Sequence, residues 1–378
     1  MQSKLDNVRG IIQHIQNNSF DPSKARVENL VGAVPVPVGL AGPLHVILPG
    51  STENIYAPLA TSEATLVASC SRGCKALSRS GGVHFHVLSE GMSRAAVLRF
   101  NSPNEAFQFA RELPNIEGEL ARIAESTGRF VRLQKITPHI IGSELHVHFN
   151  YTCGDAAGQN MVTIATQAIC AWLLESPWRA KFKLKDYMIE GQMASDKKPS
   201  WANVKEPRGI AVVSWASLSD TVCQDVLGLT TKKLYQGIRT LQEGGIRNGQ
   251  HGSNVNTANM LAAIFIATGQ DAGSVAEASW SQLTPDYDTE SKVLKLSLYF
   301  PSLPVGVVGG GTSLDAQRDA LNLLGCAEPG NGNKGRLAGL IASFALGLDI
   351  STVAALSNGT FARSHQQFAR GPKETAKL

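Results

Sequence analysis

Between residues 82 and 188 the spacing of apolar residues switches repeatedly between two periods, and this limits the fold more than any other feature of the chain. Strand-like alternation occupies 83–88, 95–100, 130–136 and 145–149. Successive side chains on a strand point to opposite faces, so such alternation reads as half-buried strand. Helical spacing occupies 104–111, 115–126 and 156–175, where Ile164, Ala168, Ile169 and Trp172 are expected to share a face. Strands and helices interleaved in this way predict a small α+β unit within about 82–188. The flanking sequence is rich in small residues, with helices expected at 61–77, 230–242, 256–268, 314–324, 337–346 and 351–364. A loop is expected at 189–200 and a helical lead-in at 1–26.

With 43% hydrophobic and 17% charged residues, the 378-residue chain has the balance of a globular protein. Its net charge of +4 is too mild for a nucleic-acid binder but favours a polyanionic nucleotide. The N-terminal residues lack a signal-peptide pattern, and the longest apolar run, 260–267, is far short of the ~20 residues that span a bilayer. A soluble, cytoplasmic protein without membrane attachment is the expectation. Six scattered cysteines fit a reducing compartment. Cys70 and Cys74 stand at helical spacing without the second pair of a zinc site. His84/His86 and His146/His148 alternate with apolar residues, which predicts exposed or ligand-facing strand faces and no metal centre.

Two stretches suit anion binding. Residues 154–161, Gly-Asp-Ala-Ala-Gly-Gln-Asn-Met, open a predicted helix, whose first backbone N–H groups lack partners and whose dipole favours negative charge. Gly309, Gly310, Gly311 and Thr312 open another, and glycine lets the backbone approach a ligand closely. Neither is the GxGxxG pattern of a dinucleotide-binding βαβ unit, and each alone fits a plain glycine turn equally well. Arg129 and Arg132 could hold a ribose phosphate or be solvated charges. Glu63, Asp196, Lys197, Lys198, Asp271 and His365 are the acid–base candidates. Glu63, expected in the first turn of a helix, could be a general acid or a dipole partner.

In order along the chain, several segments resemble the 3-hydroxy-3-methylglutaryl-coenzyme A reductases. They are Glu28-Asn29-Leu30-Val31-Gly32, residues 35–44, Ala60-Thr61-Ser62-Glu63, Leu66-Val67-Ala68-Ser69, Arg72-Gly73 and residues 154–161. Asp196-Lys197-Lys198-Pro199, Asn259, Gly269-Gln270-Asp271, residues 308–312 and Ser364-His365 complete the set. The Asp-Lys-Lys loop is similar to that of the family's first class, which prefers NADPH.

The resemblance implies an α+β fold: a large domain of 27–94 and 201–378 around a central helix, carrying an inserted ferredoxin-like nucleotide domain at 95–188, in an intertwined homodimer. It implies an NADPH-dependent, four-electron reduction of the acyl-coenzyme A thioester to mevalonate and coenzyme A. Lys197 would stabilise the oxyanion, Glu63 would protonate the aldehyde oxygen, Asp271 would tune both, and His365 would protonate the coenzyme A thiolate. Arg94, Lys198, Asp196, Asn259, Arg239, Ser351, Arg72 and Glu28 would contact substrate. Arg129, Phe130, Asp155, Gly158, Asn160, Met161 and Val308 through Thr312 would hold NADPH. The active site would form between subunits, Glu63 and Asp271 coming from one and the 196–198 loop from the other. The chain departs from the family pattern at Ala64, Ser71, Glu190, Asn256 and Arg239. These departures keep two alternatives open: a reductase of another acyl thioester, and a nucleotide-binding homologue without catalysis.

Overall fold

The computed structural model describes residues 8–330, 332–363 and 366. Strands β1 (Val38–Leu48) and β2 (Ser51–Ala60) form a hairpin, turning at Gly50 with φ 78°. Helix α1 (Leu66–Arg79) follows and buries Leu66, Cys70, Gly73, Cys74, Ala76 and Leu77 against the sheet and the long C-terminal helix. Strand β3 (Val83–Arg99) then runs for 17 residues, about 55 Å at ~3.3 Å per residue. Its first part pairs with β7 (Gly209–Leu218), from His84↔Trp215 to Gly91↔Gly209. Its second part pairs with β5 (Glu144–Thr152), from Met92↔Tyr151 to Arg99↔Glu144. One strand therefore belongs to two sheets, where the sequence predicts two separate strands. Ser89, Glu90 and Gly91 break the apolar alternation at the junction. Gly91 is required there, since a Cβ would stand 2.5 Å from the Asn150 side chain and 2.9 Å from the Pro207 carbonyl oxygen.

The inserted layer has the order β3, α2 (Pro103–Glu125), β4 (Arg132–Ile141), β5, α3 (Gln159–Glu175), β6 (Asp186–Met188), with β3 central between β5 and β6. This is the ferredoxin-like βαββαβ arrangement. It has its own core, from Met92 to Leu184. Helix α2 is continuous, whereas the sequence predicts two helices parted near Pro114. Phe109, Leu113, Ile116 and Leu120 are all buried on its inner face. At about 2 kcal/mol each they outweigh the ~3 kcal/mol that an interior proline costs. In α3 the buried face is Val162, Ala165, Thr166, Ile169, Cys170 and Leu173, while Ile164 is 59% exposed. The face read from sequence is thus rotated, because apolar residues surround this helix on most sides.

The larger core carries the sheet β2-β1-β3-β7-β9-β8, with β8 (Gln282–Tyr287) and β9 (Leu294–Leu303). Helices α4 (Thr231–Arg247), α5 (Thr257–Thr268), α6 (Asp315–Leu323) and α7 (Asn333–Ser357) complete it. Helix α7 is the central helix, buried at every residue from Leu337 to Ala355. It joins two helices predicted separately. Its length and apolarity would suffice to cross a membrane, but the apolar stretch is wholly covered by protein. Gly73 permits its crossing with α1, for a Cβ there would meet the Gly347 carbonyl oxygen at 1.8 Å. His146 and His148 are buried, at 8% and 9% exposure, not exposed as the alternation suggests. Two later residues lie against these rings: a Cβ on Gly191 would stand 2.5 Å from His146 Nδ1, and Glu206 is 3.9 Å from His148 Nδ1.

Candidate active site

The predicted site residues fall into three groups, two of them near opposite ends of α5. The first lines a cavity of about 500 Å³ that includes Glu63, Arg72, Asn256, Asn259, Leu348 and Thr352. Glu63 is exposed in the loop before α1, with its N–H donated to Thr61 Oγ1 at 2.9 Å. The helix starts only at Leu66, because Thr65 adopts φ 79° and provides no side-chain cap. Glu63 is therefore not the first-turn residue that the sequence suggests. Ser351 is fully buried and does not line the cavity; it holds Arg72, accepting from Nε at 3.0 Å through its hydroxyl and from Nη2 at 2.6 Å through its carbonyl. Asn259 stands in the first turn of α5. The approach to that helix is fixed by Asp349 of α7, whose carboxylate accepts from the N–H groups of Val255 (3.1 Å) and Asn256 (2.7 Å). Burial pushes the Asp349 carboxyl up to about 7.

Arg239 lies exposed on α4, paired with Glu243 at 3.0 Å, in an adjoining cleft of about 660 Å³ that shares Leu241 and Val255 with the first. Glu28 is exposed in the irregular segment before β1 and lines neither cleft.

The second group begins just past the C-terminus of α5. Lys197 Nζ meets Asp271 Oδ2 at 2.9 Å, and Asp271 Oδ1 accepts the Gly273 N–H at 3.0 Å. The carboxylate hydrogen bond holds the lysine pKa above its ordinary value. This pair forms within one chain, whereas the resemblance implies Asp271 and the 196–198 loop on different subunits. The loop folds back across its own chain because Asp196 is gripped by Arg94 Nη1 at 3.2 Å and by Arg208 Nη2 at 2.9 Å. Arg94 is engaged further by Glu190 (3.4 Å) and Thr163 Oγ1 (2.8 Å), so it supports the loop and is not among the residues lining the Glu63 cavity. Lys198 is exposed and donates to the Asp196 carbonyl oxygen at 3.2 Å.

The third group is the meeting of the two glycine stretches. Val307 N–H donates to the Asp155 carbonyl oxygen at 2.8 Å, and Ala156 bridges Val308 in parallel. At Gly306 a Cβ would lie 2.3 Å from the Ala157 nitrogen. Gly158 caps α3 with φ 91°, offers no side-chain cap, and no acidic residue follows in the first turn, so Asn160 and Met161 start a helix whose amides are available to an anion. Around Gly309 and Gly310 an added Cβ would meet nothing within 4 Å, which leaves room beside this helix start. Arg129 stacks over the exposed Phe130, 5.1 Å from its ring centroid, and Phe130 packs beside Gly154. The group thus offers backbone donors, open glycine backbone and a nearby guanidinium, as a dinucleotide's phosphates require. Two members have structural duties: Asp155 accepts the Gly330 N–H at 2.7 Å, and the Thr312 hydroxyl donates to the Gly309 carbonyl oxygen. Gly311 packs on Gly269, its Cβ position lying 2.9 Å from the Gly269 carbonyl oxygen. His365 lies outside the described residues.

Sequence reasoning missed Arg208, Glu277 and Asp349. Arg208 is fully buried, and its Nη1 donates to both carboxylate oxygens of Glu277 at 2.7 Å each. Burial holds the Glu277 carboxyl above the usual carboxylate range against the pull of this guanidinium. Their one sequence signal is a charge set against apolar text: Arg208 directly before Gly-Ile-Ala-Val-Val, Glu277 and Asp349 alone within small or apolar helix text.

The profile described as hydroxymethylglutaryl-coenzyme A reductase matches residues 3–370. A 3-hydroxy-3-methylglutaryl-coenzyme A reductase of Aeropyrum pernix is 39% identical over 349 residues, 91% of this chain and 82% of that protein. One of Methanothermobacter thermautotrophicus is 35% identical over 370 residues, 95% of this chain and 90% of that protein. Among solved structures, a class II 3-hydroxy-3-methylglutaryl-CoA reductase from Streptococcus pneumoniae bound to NADPH superposes with TM-score 0.73, covering 94% of this chain and 96% of that one. At 20% identity it speaks for the fold alone. With a profile spanning nearly its whole length and relatives well above 30% identity, the chain belongs to the hydroxymethylglutaryl-coenzyme A reductase family.

Proposed function

We propose that this chain reduces 3-hydroxy-3-methylglutaryl-coenzyme A, with two NADPH and two protons, to mevalonate, coenzyme A and two NADP+. The observation that carries the reading is the Lys197–Asp271 pair at 2.9 Å beside the insert's glycine cradle. NADPH, when bound, supplies the hydride in each of two reductions. The 154–158 and 306–312 backbone would hold its phosphates, and Arg129 would reach a ribose phosphate. Lys197, kept protonated by Asp271, would face the thioester oxygen as negative charge develops on it. Glu63 would deliver the proton to the aldehyde oxygen, and His365 the proton to the departing thiolate.

The active assembly is a homodimer. Asn259 stands at the start of α5 and Asp271 just beyond its end, and a 12-residue helix is about 18 Å long. The Glu63 cavity and the Lys197–Asp271 pair of one chain therefore belong to different sites, each completed by a second copy. The exposed valines at 27, 31 and 34, the last two at 103% and 89% exposure, support such an interface. Asp196-Lys197-Lys198 supports the family's first class and NADPH over NADH. Six buried cysteines support a reducing cytoplasm.

The test is absorbance of the reduced nicotinamide on adding the ester, with NADPH and NADH compared. Oxidation of NADPH with release of free thiol is expected. Turnover only with another acyl thioester, or NADPH binding without turnover on any, would defeat the proposal.

A further inference from the structure

Arg208 is the largest fully buried side chain among the described residues, and its guanidinium joins two elements that share no sequence. It sits immediately before β7, its backbone N–H donating to Ser302 Oγ at 2.9 Å. On one side it grips Glu277, itself 2% exposed, in the short helix Val275–Ala278 that follows Asp271 by a single 3-10 turn. On the other it pairs with Asp196, the residue before Lys197, at 2.9 Å. A buried ion pair is poor value as a stabiliser, since taking both charges out of water offsets their attraction, and apolar replacements often do as well. The arrangement therefore calls for another reason.

The loop itself supplies that reason. Gln192, Ser195 and Lys197 adopt φ values of 69°, 54° and 58°, a left-handed conformation unfavourable for residues with side chains. Three such residues in six hold their shape only if the surroundings impose it. Asp196 lies among them, fixed by one guanidinium from β3 and one from the start of β7. Gly273, whose Cβ position is 3.2 Å from Asp271 Oδ1 and 3.3 Å from Lys197 Nζ, shows how closely the two segments are set.

We infer that the buried Arg208–Glu277 pair is a positioning device: it locks the strained 192–197 loop to the segment bearing Asp271 and so fixes the lysine amine against that carboxylate. The inference rests on the proposed reductase activity, but not on which acyl group is reduced. Arg208 and Glu277 touch neither substrate nor cofactor; they act through Asp196 and through the backbone between Asp271 and Glu277.

Two variants test it. Glu277→Gln keeps the shape and removes the charge. It is expected to lower kcat by tenfold to a hundredfold, on the order of what a displacement of ~1 Å costs, with KM for both substrates within about twofold. The double variant Arg208→Met with Glu277→Leu removes both charges, so its melting temperature should match or exceed that of the wild type while kcat stays depressed. Recovery of kcat together with stability in the double variant would mean a merely structural pair and would overturn the inference. So would a folded Glu277→Gln enzyme with normal kcat, or one altered only in KM. Wild-type protein in the same assay separates the two ideas: without turnover there the reductase reading fails, and with it the variants judge Arg208 and Glu277 alone.

Discussion

Lys197 combines two facts that seldom coincide: a left-handed backbone and a side chain about half exposed but held by a carboxylate. An exposed pair of this kind contributes ~1 kcal/mol or less to stability, so its removal should be felt in turnover and not in folding. Lys197→Ala is expected to lower kcat by at least 10²–10³, roughly the effect of losing one oxyanion donor, with a urea midpoint near that of the wild type. Retained activity would refute the role. Asp349 presents the opposite case. Its carboxyl is fully buried, and its pKa is raised to about 7 by desolvation. The native state therefore keeps a proton that the unfolded chain has shed, so this group's contribution is fully present below pH ~4 and is lost as pH rises from about 4 to about 7. A shift of about three units corresponds to at most ~4 kcal/mol. Asp349→Asn should flatten the fall in stability over that range, read from urea unfolding at several pH values. An unchanged pH slope would show that Asp349 is not the titrating group.

At the scale of elements, the long helices and strands β3, β4 and β5 were legible from their apolar periods, with looser boundaries, whereas β1, β2, β6, β7, β8 and β9 were not read as strands. Residues 104–126 read as two helices because Pro114 interrupts the propensity signal, yet Phe109, Leu113, Ile116 and Leu120 carry one face straight through it. Residues 337–364 read as two helices because α7 is apolar all round and shows no amphipathic period, being surrounded by protein. The site residues were legible through the resemblance and as short motifs, while their grouping was not. Nothing in the spacing of 196 and 271 says that one chain brings them to 2.9 Å, since Arg94 and Arg208 do so from distant strands. The glycines are a middle case. Their freedom is visible in sequence, but only the structure shows that Gly306 touches Ala157. Gly306→Ala should push the 154–158 loop off its seat and weaken NADPH binding by tenfold or more, on the order of 1.4 kcal/mol, measured by nicotinamide fluorescence. Binding as tight as in the wild type would remove that contact from the cofactor site.

At the scale of the whole molecule, α5 acts as a spacer. It holds Asn259 and the Glu63 cavity at one end and Asp271 with its lysine at the other, about 18 Å along a rigid rod. A single chain cannot close that distance by moving a loop, because Asp349 fixes the approach to one end and Arg208 fixes the segment beyond the other. In the proposed dimer two-fold symmetry would resolve it: each copy would lend its cavity to the partner's lysine, giving two equivalent composite sites. The consequence is measurable in mixed dimers. Glu63→Gln and Lys197→Ala chains should each be inactive alone. When they are coexpressed and pair at random, half the dimers are mixed. Each mixed dimer holds one site with both defects and one with neither, so about a quarter of wild-type activity should return. If Glu63 and Lys197 instead served the same chain's site, every site in the mixture would carry one defect, and coexpression would restore nothing.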